Sequence, residues 1–371
     1  MNIAIEGSIL TRPMCGTVRY IKELIKYIVN VNSAEDNVYV ISSVVSDPDL
    51  KKVKVVNKLS RDLNIDLYHR TYPMQSYSEA ISSRKFSRKM VFTPHDLIQC
   101  SHPEYHGNAG YAVSYKQLMG DTLSVSDRVI AISNHGKSDI VDRFSIAEDK
   151  IEVIYHGIDP DKFKRVVTKN VDLPEKYILF VGADYPHKNL SSLLKAFRLV
   201  SNTEVFKGYK LVCVGNREHL YSNSSFKDDL ERLGDKVIMN VSVPDEWIPE
   251  IYSRAAVLVM PSVYEGFGFP ILEAMACGTP VICSELSSLP EVAGNAAVIV
   301  DATDPGCLAS AITKVVSNTD LSGKLSGLGL QRAKLFTWEE CARKTYDLYK
   351  RTSKGKHENT VTAVSKRRAV L

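Results

Sequence analysis

Short runs of Val, Ile and Leu recur along the chain and alternate with stretches whose apolar positions repeat every three or four residues. The runs predict strands at 2–6, 38–42, 65–69, 90–93, 128–133 and 151–155, then at 177–181, 210–214, 236–240, 256–260, 281–284 and 297–300. Tyr177-Ile178-Leu179-Phe180-Val181 and Val257-Leu258-Val259-Met260 are apolar throughout, as in strands buried on both faces of a parallel sheet. Helical spacing falls between them at 18–29, 111–124, 134–143, 190–200, 226–233, 246–254, 270–277 and 305–316. Strand and helix alternating in two successive series predict an α/β protein with two Rossmann-like, doubly wound parallel-sheet domains. Ligands of such sheets bind beyond the carboxyl ends of the strands, so two facing sheets would enclose an interdomain cleft.

A polar stretch separates the two series, opening at Ile158-Asp159-Pro160-Asp161 and closing at Leu173-Pro174-Glu175. Proline at both ends suits a semi-rigid linker. The expected domains are therefore 1–165 and 166–336. A final helix over 337–350 joins the first domain, and a basic, disordered tail covers 351–371. The helix opens with Thr337-Trp338-Glu339-Glu340, a capping box with Thr as N-cap and Glu at the third helical position.

At 371 residues the chain exceeds what one core usually supports, which agrees with two domains. The net charge of +4 is concentrated at the end, where 351–371 holds six Lys or Arg against Glu358 alone. The body is close to neutral, so nucleic acid is not an expected partner. The basic tail reads first as a solvated, disordered end, with peripheral contact to anionic lipid as the alternative. The seven cysteines are scattered without metal-type spacing, which favours a reducing compartment. The first residues read as a strand, and no apolar stretch approaches the ~20 residues of a membrane span. A cytoplasmic protein, at most peripheral to a membrane, is expected.

The most informative segment follows the apolar run 257–260. It reads Tyr264-Glu265-Gly266-Phe267-Gly268-Phe269-Pro270-Ile271-Leu272-Glu273-Ala274-Met275-Ala276-Cys277-Gly278. Gly266 and Gly268 permit a tight turn and close approach of backbone to ligand. Pro270 suits the first helical position and Gly278 the C-terminal cap. Free amides of Ile271, Leu272 and Glu273 would then point at an anion such as phosphate. Glu265 and Glu273 are placed to accept hydrogen bonds from hydroxyls, and a phosphate beside hydroxyl-binding acids describes a nucleotide sugar.

This segment resembles the E-x7-E signature of family-four retaining glycosyltransferases, bacterial mannosyl- and glucosyltransferases among them, which have the GT-B fold. The resemblance implies that the first domain binds acceptor and the second binds donor. Glu265, with the backbone of Phe267, Gly268 and Phe269, would contact the transferred sugar. Glu273 would grip the ribose, and the amides of Ile271 and Leu272 the diphosphate. Lys188, in Val181-Gly182-Ala183-Asp184-Tyr185-Pro186-His187-Lys188-Asn189, would neutralise the leaving diphosphate. The family commonly has Arg where this chain has Ala183, so Arg217 after the strand end at 214 is a further candidate for that task. The segment 241–244 would line the nucleobase. From the first domain, Gly16 in Pro13-Met14-Cys15-Gly16-Thr17 resembles the family's glycine loop, and His95 in Thr93-Pro94-His95-Asp96 the family's strand-end histidine.

No metal or cofactor is expected. Asp47-Pro48-Asp49 and Asp159-Pro160-Asp161 spell the metal signal of another glycosyltransferase fold, but each sits in a proline turn where Asp bonds locally. The implied reaction moves a hexose, with retention at the anomeric carbon, from a nucleotide sugar to a glycan or glycolipid acceptor. GDP-mannose is the first candidate donor and UDP-glucose the second. No acid is singled out as a covalent nucleophile; the resemblance implies instead that the acceptor attacks on the leaving-group face, the departing phosphate taking its proton, with His95 orienting the sugar. Two other readings share this pattern: a nucleotide-sugar 2-epimerase of the same architecture, and a non-catalytic nucleotide-sugar-binding module.

Overall fold

A computed structural model describes residues 1–12, 14–43, 52–73, 79, 84–106, 109–215, 227–241 and 243–355. They form two compact units, Met1–Gly157 with the chain from Thr337 on, and Ile158–Phe336.

The first unit holds a seven-stranded parallel sheet in the order β3-β2-β1-β4-β5-β6-β7. Its strands are β1 (Asn2–Glu6), β2 (Asn37–Ile41), β3 (Lys54–Val56), β4 (Ile65–Arg70), β5 (Ser87–Phe92), β6 (Arg128–Ala131) and β7 (Ile151–Val153). The second holds six in the order β10-β9-β8-β11-β12-β13. These are β8 (Lys176–Val181), β9 (Tyr209–Val214), β10 (Val237–Val241), β11 (Val257–Met260), β12 (Val281–Ser284) and β13 (Val298–Val300). Both sheets reverse direction of winding once, between β1 and β4 and between β8 and β11. Such a switch point opens a crevice at the carboxyl ends of the two adjacent strands, where α/β sheets bind ligands.

Burial explains the apolar runs. Ile3, Ala4 and Ile5 of β1 and Val257, Leu258 and Val259 of β11 are fully buried. Each large aliphatic side chain so placed contributes about 1.5–3 kcal/mol. Helices cover the sheets, Gly16–Val31 packing on Trp338–Lys354 in the first unit and Leu190–Val200 on Pro305–Ser317 in the second. The Trp338–Lys354 helix is capped as expected, Thr337 Oγ1 accepting the Glu340 N–H at 3.2 Å. The reciprocal half of the box is not made, because the Glu340 carboxylate takes Arg343 instead. Arg351 and Lys354 complete this helix rather than begin a tail, and residues 356–371 lie outside the described residues.

Three differences from the expected layout have physical causes. The units divide at Gly157–Ile158, not at 165, because the supposed linker is fastened to the second unit. Phe163 packs edge-on to Tyr252, the Val166 N–H donates to Ser253 Oγ at 2.9 Å, and the Glu250 carboxylate accepts from Thr168, Asn170 and Val171. The helix Thr319–Ala333 was not expected because Gly323, Gly327 and Gly329 interrupt its propensity. It forms because it packs on the Phe269–Ala276 helix, with Gly329 directly against Met275. The edge strand β3 is only three residues long and carries a lysine, too little pattern to read.

A Cβ added at Gly157 would lie 2.2 Å from the Trp338 backbone nitrogen, where the chain re-enters the first unit. One added at helical Gly323 would meet nothing within 4 Å. Gly157→Ala is therefore expected to destabilise by about 1–3 kcal/mol, and Gly323→Ala to stabilise by about 0.5–1 kcal/mol. Urea unfolding followed by circular dichroism checks the pair, and the opposite order would refute this packing account.

Candidate active site

In the second unit the loops after β8 and β11, the two switch-point strands, are tied together. The Asn189 side chain donates to Pro261 O at 3.1 Å and to Ala302 O at 2.8 Å. The Val263 N–H donates to His187 O at 2.8 Å. These ties bring Lys188 and Glu265 into contact. Lys188 Nζ donates to Glu265 Oε1 at 2.6 Å, and Ser262 Oγ donates to the same oxygen at 2.8 Å. Both side chains remain partly accessible, at 20% and 12%.

Beyond Glu265 the chain turns at Gly268, whose φ of 113° lies in the region that favours glycine. A Cβ there would also meet Leu289 at 2.9 Å. Gly268 caps the Phe269–Ala276 helix, so Pro270 occupies its second position rather than its first. This corrects the expected set of open amides. The Ile271 N–H donates to Gly268 O at 3.0 Å, and Leu272 and Glu273 fall within the helical ladder. Pro270 has no N–H to offer in this first turn. Phe267 is buried with its ring 5.4 Å from that of Phe269 and 6.0 Å from that of Phe336. Glu273 is buried, and one of its oxygens accepts the Tyr252 hydroxyl at 2.6 Å.

Ala183, in the place of the family's Arg, is followed by Asp184, which is 6% exposed. Burial pushes its carboxyl up to about 6, and its Oδ2 has no hydrogen-bond partner. The described part of this loop thus carries one cation, Lys188, and a buried acid. Arg217 lies outside the described residues. Asp159 of the D-x-D sequence bonds locally, its Oδ1 accepting the N–H groups of Asp161 and Lys162, and Asp47 and Asp49 lie outside the described residues.

In the first unit Gly16 begins the Gly16–Val31 helix. One turn on, the Tyr20 ring stands edge-on to His95 at 4.9 Å. His95 follows β5 and bonds the Thr71 backbone, while its Nε2 has no hydrogen-bond partner. Two further histidines join it, His156 among them from the turn segment Tyr155-His156-Gly157. His156 lies 5.9 Å from His95 and stacks on Trp338. His69 of β4 is fully buried, bonding Tyr349 through Nδ1 and Thr93 Oγ1 through Nε2 at 2.8 Å. Burial lowers all three, His69 and His95 to about 3 and His156 well below the usual value, and the charge of His95 adds to the shift of the other two. They are neutral imidazoles at pH 7.

Residues 161–327 match the model for Glycosyl transferases group 1, and residues 45–162 that for Glycosyltransferase Family 4. An O-antigen chain mannosyltransferase B of Escherichia coli is 31% identical over 276 residues, covering 71% of this chain and 70% of its own length. An O-antigen chain mannosyltransferase of Salmonella typhimurium is 32% identical over 229 residues, 62% of this chain and 61% of its own. A sucrose-phosphate synthase from Thermosynechococcus elongatus shares the fold with a TM-score of 0.74 at 20% identity, over 94% of this chain and 98% of its own. The chain belongs to the group 1 and family 4 glycosyltransferases. It is a glycosyltransferase of the GT-B fold, built on two Rossmann-like domains.

The histidine cluster sets a pH dependence. A histidine whose folded pKa is lowered takes up a proton more readily when unfolded, so its contribution is complete above the unfolded value near 6.5 and is lost as pH falls towards about 3. The urea midpoint should therefore fall between pH 7 and pH 5. In a His69→Gln variant the fall should be shallower, although the variant starts from lower stability. An unchanged slope would show that His69 does not titrate in the unfolding reaction.

Proposed function

We propose that this glycosyltransferase moves a hexose, with retention at the anomeric carbon and without a metal ion, from a nucleotide sugar to a hydroxyl of a glycan or glycolipid acceptor. The observation that carries the proposal is the 2.6 Å contact of Lys188 with Glu265 at the switch point of the second sheet. It puts a phosphate-seeking cation and a hydroxyl-seeking carboxylate side by side, four residues before the start of a helix. A diphosphate linked to a sugar needs that combination.

Lysine has three donors, so Lys188 can keep its bond to Glu265 and still reach the diphosphate. In that place it stabilises charge developing on the leaving nucleotide, a task that a metal ion performs elsewhere. The start of the Phe269–Ala276 helix would add the positive end of the helix dipole. Glu265 shares its Oε1 between Lys188 and Ser262, which suits a hydrogen-bond acceptor for sugar hydroxyls better than a covalent nucleophile. Glu273, steadied by Tyr252, is assigned the ribose. His95, neutral at pH 7, is assigned the orientation of the transferred sugar, and Gly16 an approach to the diphosphate. Arg217 keeps its assignment as a further diphosphate contact on sequence alone.

GDP-mannose is the proposed donor, supported by the two O-antigen mannosyltransferase relatives, with UDP-glucose next. No helix among the described residues is long and apolar enough to cross a membrane. Peripheral contact with anionic lipid is proposed for the basic end of the chain, where Lys344, Lys350, Arg351 and Lys354 line a groove of about 450 Å³ together with Glu152 and Asp347.

Thermal-shift measurements against a panel of nucleotide sugars should rank GDP-mannose first, since a bound ligand stabilises by RT ln(1 + [L]/Kd). Nuclear magnetic resonance of the product should show retention, and an inverted product would overturn the mechanism. Conversion of the donor with no acceptor present would point instead to an epimerase. Lys188→Ala should lower kcat about 10²–10³-fold, and treatment with a chelator should leave turnover unchanged. A chelator-sensitive enzyme with an indifferent Lys188→Ala variant would refute the electrostatic assignment.

A further inference from the structure

The loop that carries Glu265 is held from outside by two serines between β12 and the short helix Leu289–Ala293. Ser287 Oγ accepts the Glu265 N–H at 2.7 Å and donates to the Glu265 carbonyl at 2.8 Å. One hydroxyl thus engages both backbone groups of a single residue. Ser288 Oγ lies 3.0 Å from the Glu265 carbonyl and 2.8 Å from that of Phe267, so its one proton serves two carbonyls. Ser288 is fully buried, and its own N–H donates back to Ser287 Oγ at 2.6 Å. Ser287 has φ of +60°, one of four non-glycine residues with positive φ among those described. A residue with a Cβ is held in that region only when its surroundings over-determine it, and such strain gathers where a site must be kept in shape. Glycine would meet the backbone demand at Ser287 without strain but would not supply the hydroxyl.

We propose that Ser287 and Ser288 are positioning residues for Glu265, setting where its carboxylate stands relative to the transferred sugar. The proposal rests on reading Glu265 as the sugar contact. Ser262 holds the carboxylate itself and Lys188 its charge, while the two serines hold the backbone from which it projects. A backbone displaced by an ångström would leave the Glu265 side chain present but out of register, a class of error that costs enzymes about a hundredfold in rate.

The test uses the full chain with GDP-mannose and UDP-glucose as donors, and GDP and UDP as controls that lack the sugar. For Ser287→Gly the thermal midpoint should stay near that of the parent, because the strained φ is relieved. Its kcat should fall roughly ten- to a hundredfold. Calorimetric affinity should drop for the nucleotide sugar and not for the nucleoside diphosphate. In a Glu265→Ala background the same substitution should cause no further loss of sugar-dependent affinity, which a merely structural role would not produce. Ser288→Ala, at ordinary φ, should repeat the pattern and serves in place of Ser287→Gly if that variant fails to fold. Wild-type kinetics in both serine variants, equal losses of affinity for nucleotide sugar and nucleoside diphosphate, or a loss that adds in full to that of Glu265→Ala would each overturn the proposal. If Glu265→Ala itself kept full turnover and sugar-dependent affinity, the reading of Glu265 would fall, and the serine variants would show that separately.

Discussion

The second unit is organised around an ion pair held at the point where its sheet changes direction of winding. Lys188 and Glu265 come from loops after β8 and β11, strands adjacent in the sheet but separated in sequence by β9 and β10. Side chains with accessibilities of 20% and 12% are dry enough to interact strongly and open enough to meet a ligand. The surrounding bonds mostly serve to keep them there. Asn189 ties the first loop to the second, Ser262 shares the carboxylate, and Ser287 and Ser288 fix the turn that leads to Gly268. A helix of only eight residues then starts where the turn ends.

The first unit answers with a different chemistry. Its cluster of Tyr20, His69, His95, His156, Trp338 and Tyr349 carries no net charge at neutral pH, because burial costs a protonated imidazole more than the surrounding partners return. Its order comes from fixed hydrogen bonds. The last helix matters here: Tyr349 holds His69, His69 holds Thr93, and Thr93 begins the turn that carries His95. The end of the chain therefore helps shape a strand-end turn whose sequence lies some 250 residues earlier.

Much of this was legible in the sequence, for reasons that also explain the rest. Strands buried on both faces leave unbroken apolar runs, so Asn2–Glu6 and Val281–Ser284 could be bounded to the residue. The Leu190–Val200 helix was equally clear from its apolar spacing. Glycines and proline around Glu265 exposed the turn and helix start, though not that the cap would fall on Gly268 and so engage the Ile271 amide. What the sequence concealed is chiefly long-range pairing. Tyr349 with His69, Tyr252 with Glu273, and Ser287 with Glu265 are bonds between common residue types distant along the chain, and no local pattern announces them. The boundary was misplaced for a related reason. A polar, proline-bounded stretch reads as a linker, yet Glu250 and Tyr252 hold it against the second unit.

The charge balance of the loops after β8 and β11 follows from these same constraints. A family Arg next to Lys would offer two cations, whereas this chain puts Ala183 and a buried Asp184 in that loop. An ionised acid nearby would oppose an incoming anion, and burial raises the Asp184 carboxyl to about 6, so that it gives up its charge at milder acidity than an exposed aspartate. Lys188 already shares its charge with Glu265. The positive potential offered to a phosphate in the described part of the site therefore comes from one shared ammonium and a helix terminus, both fixed in direction before any ligand arrives. Preorganised dipoles of this kind act without further rearrangement, and it is this property that the proposed role of Lys188 at a departing diphosphate would use.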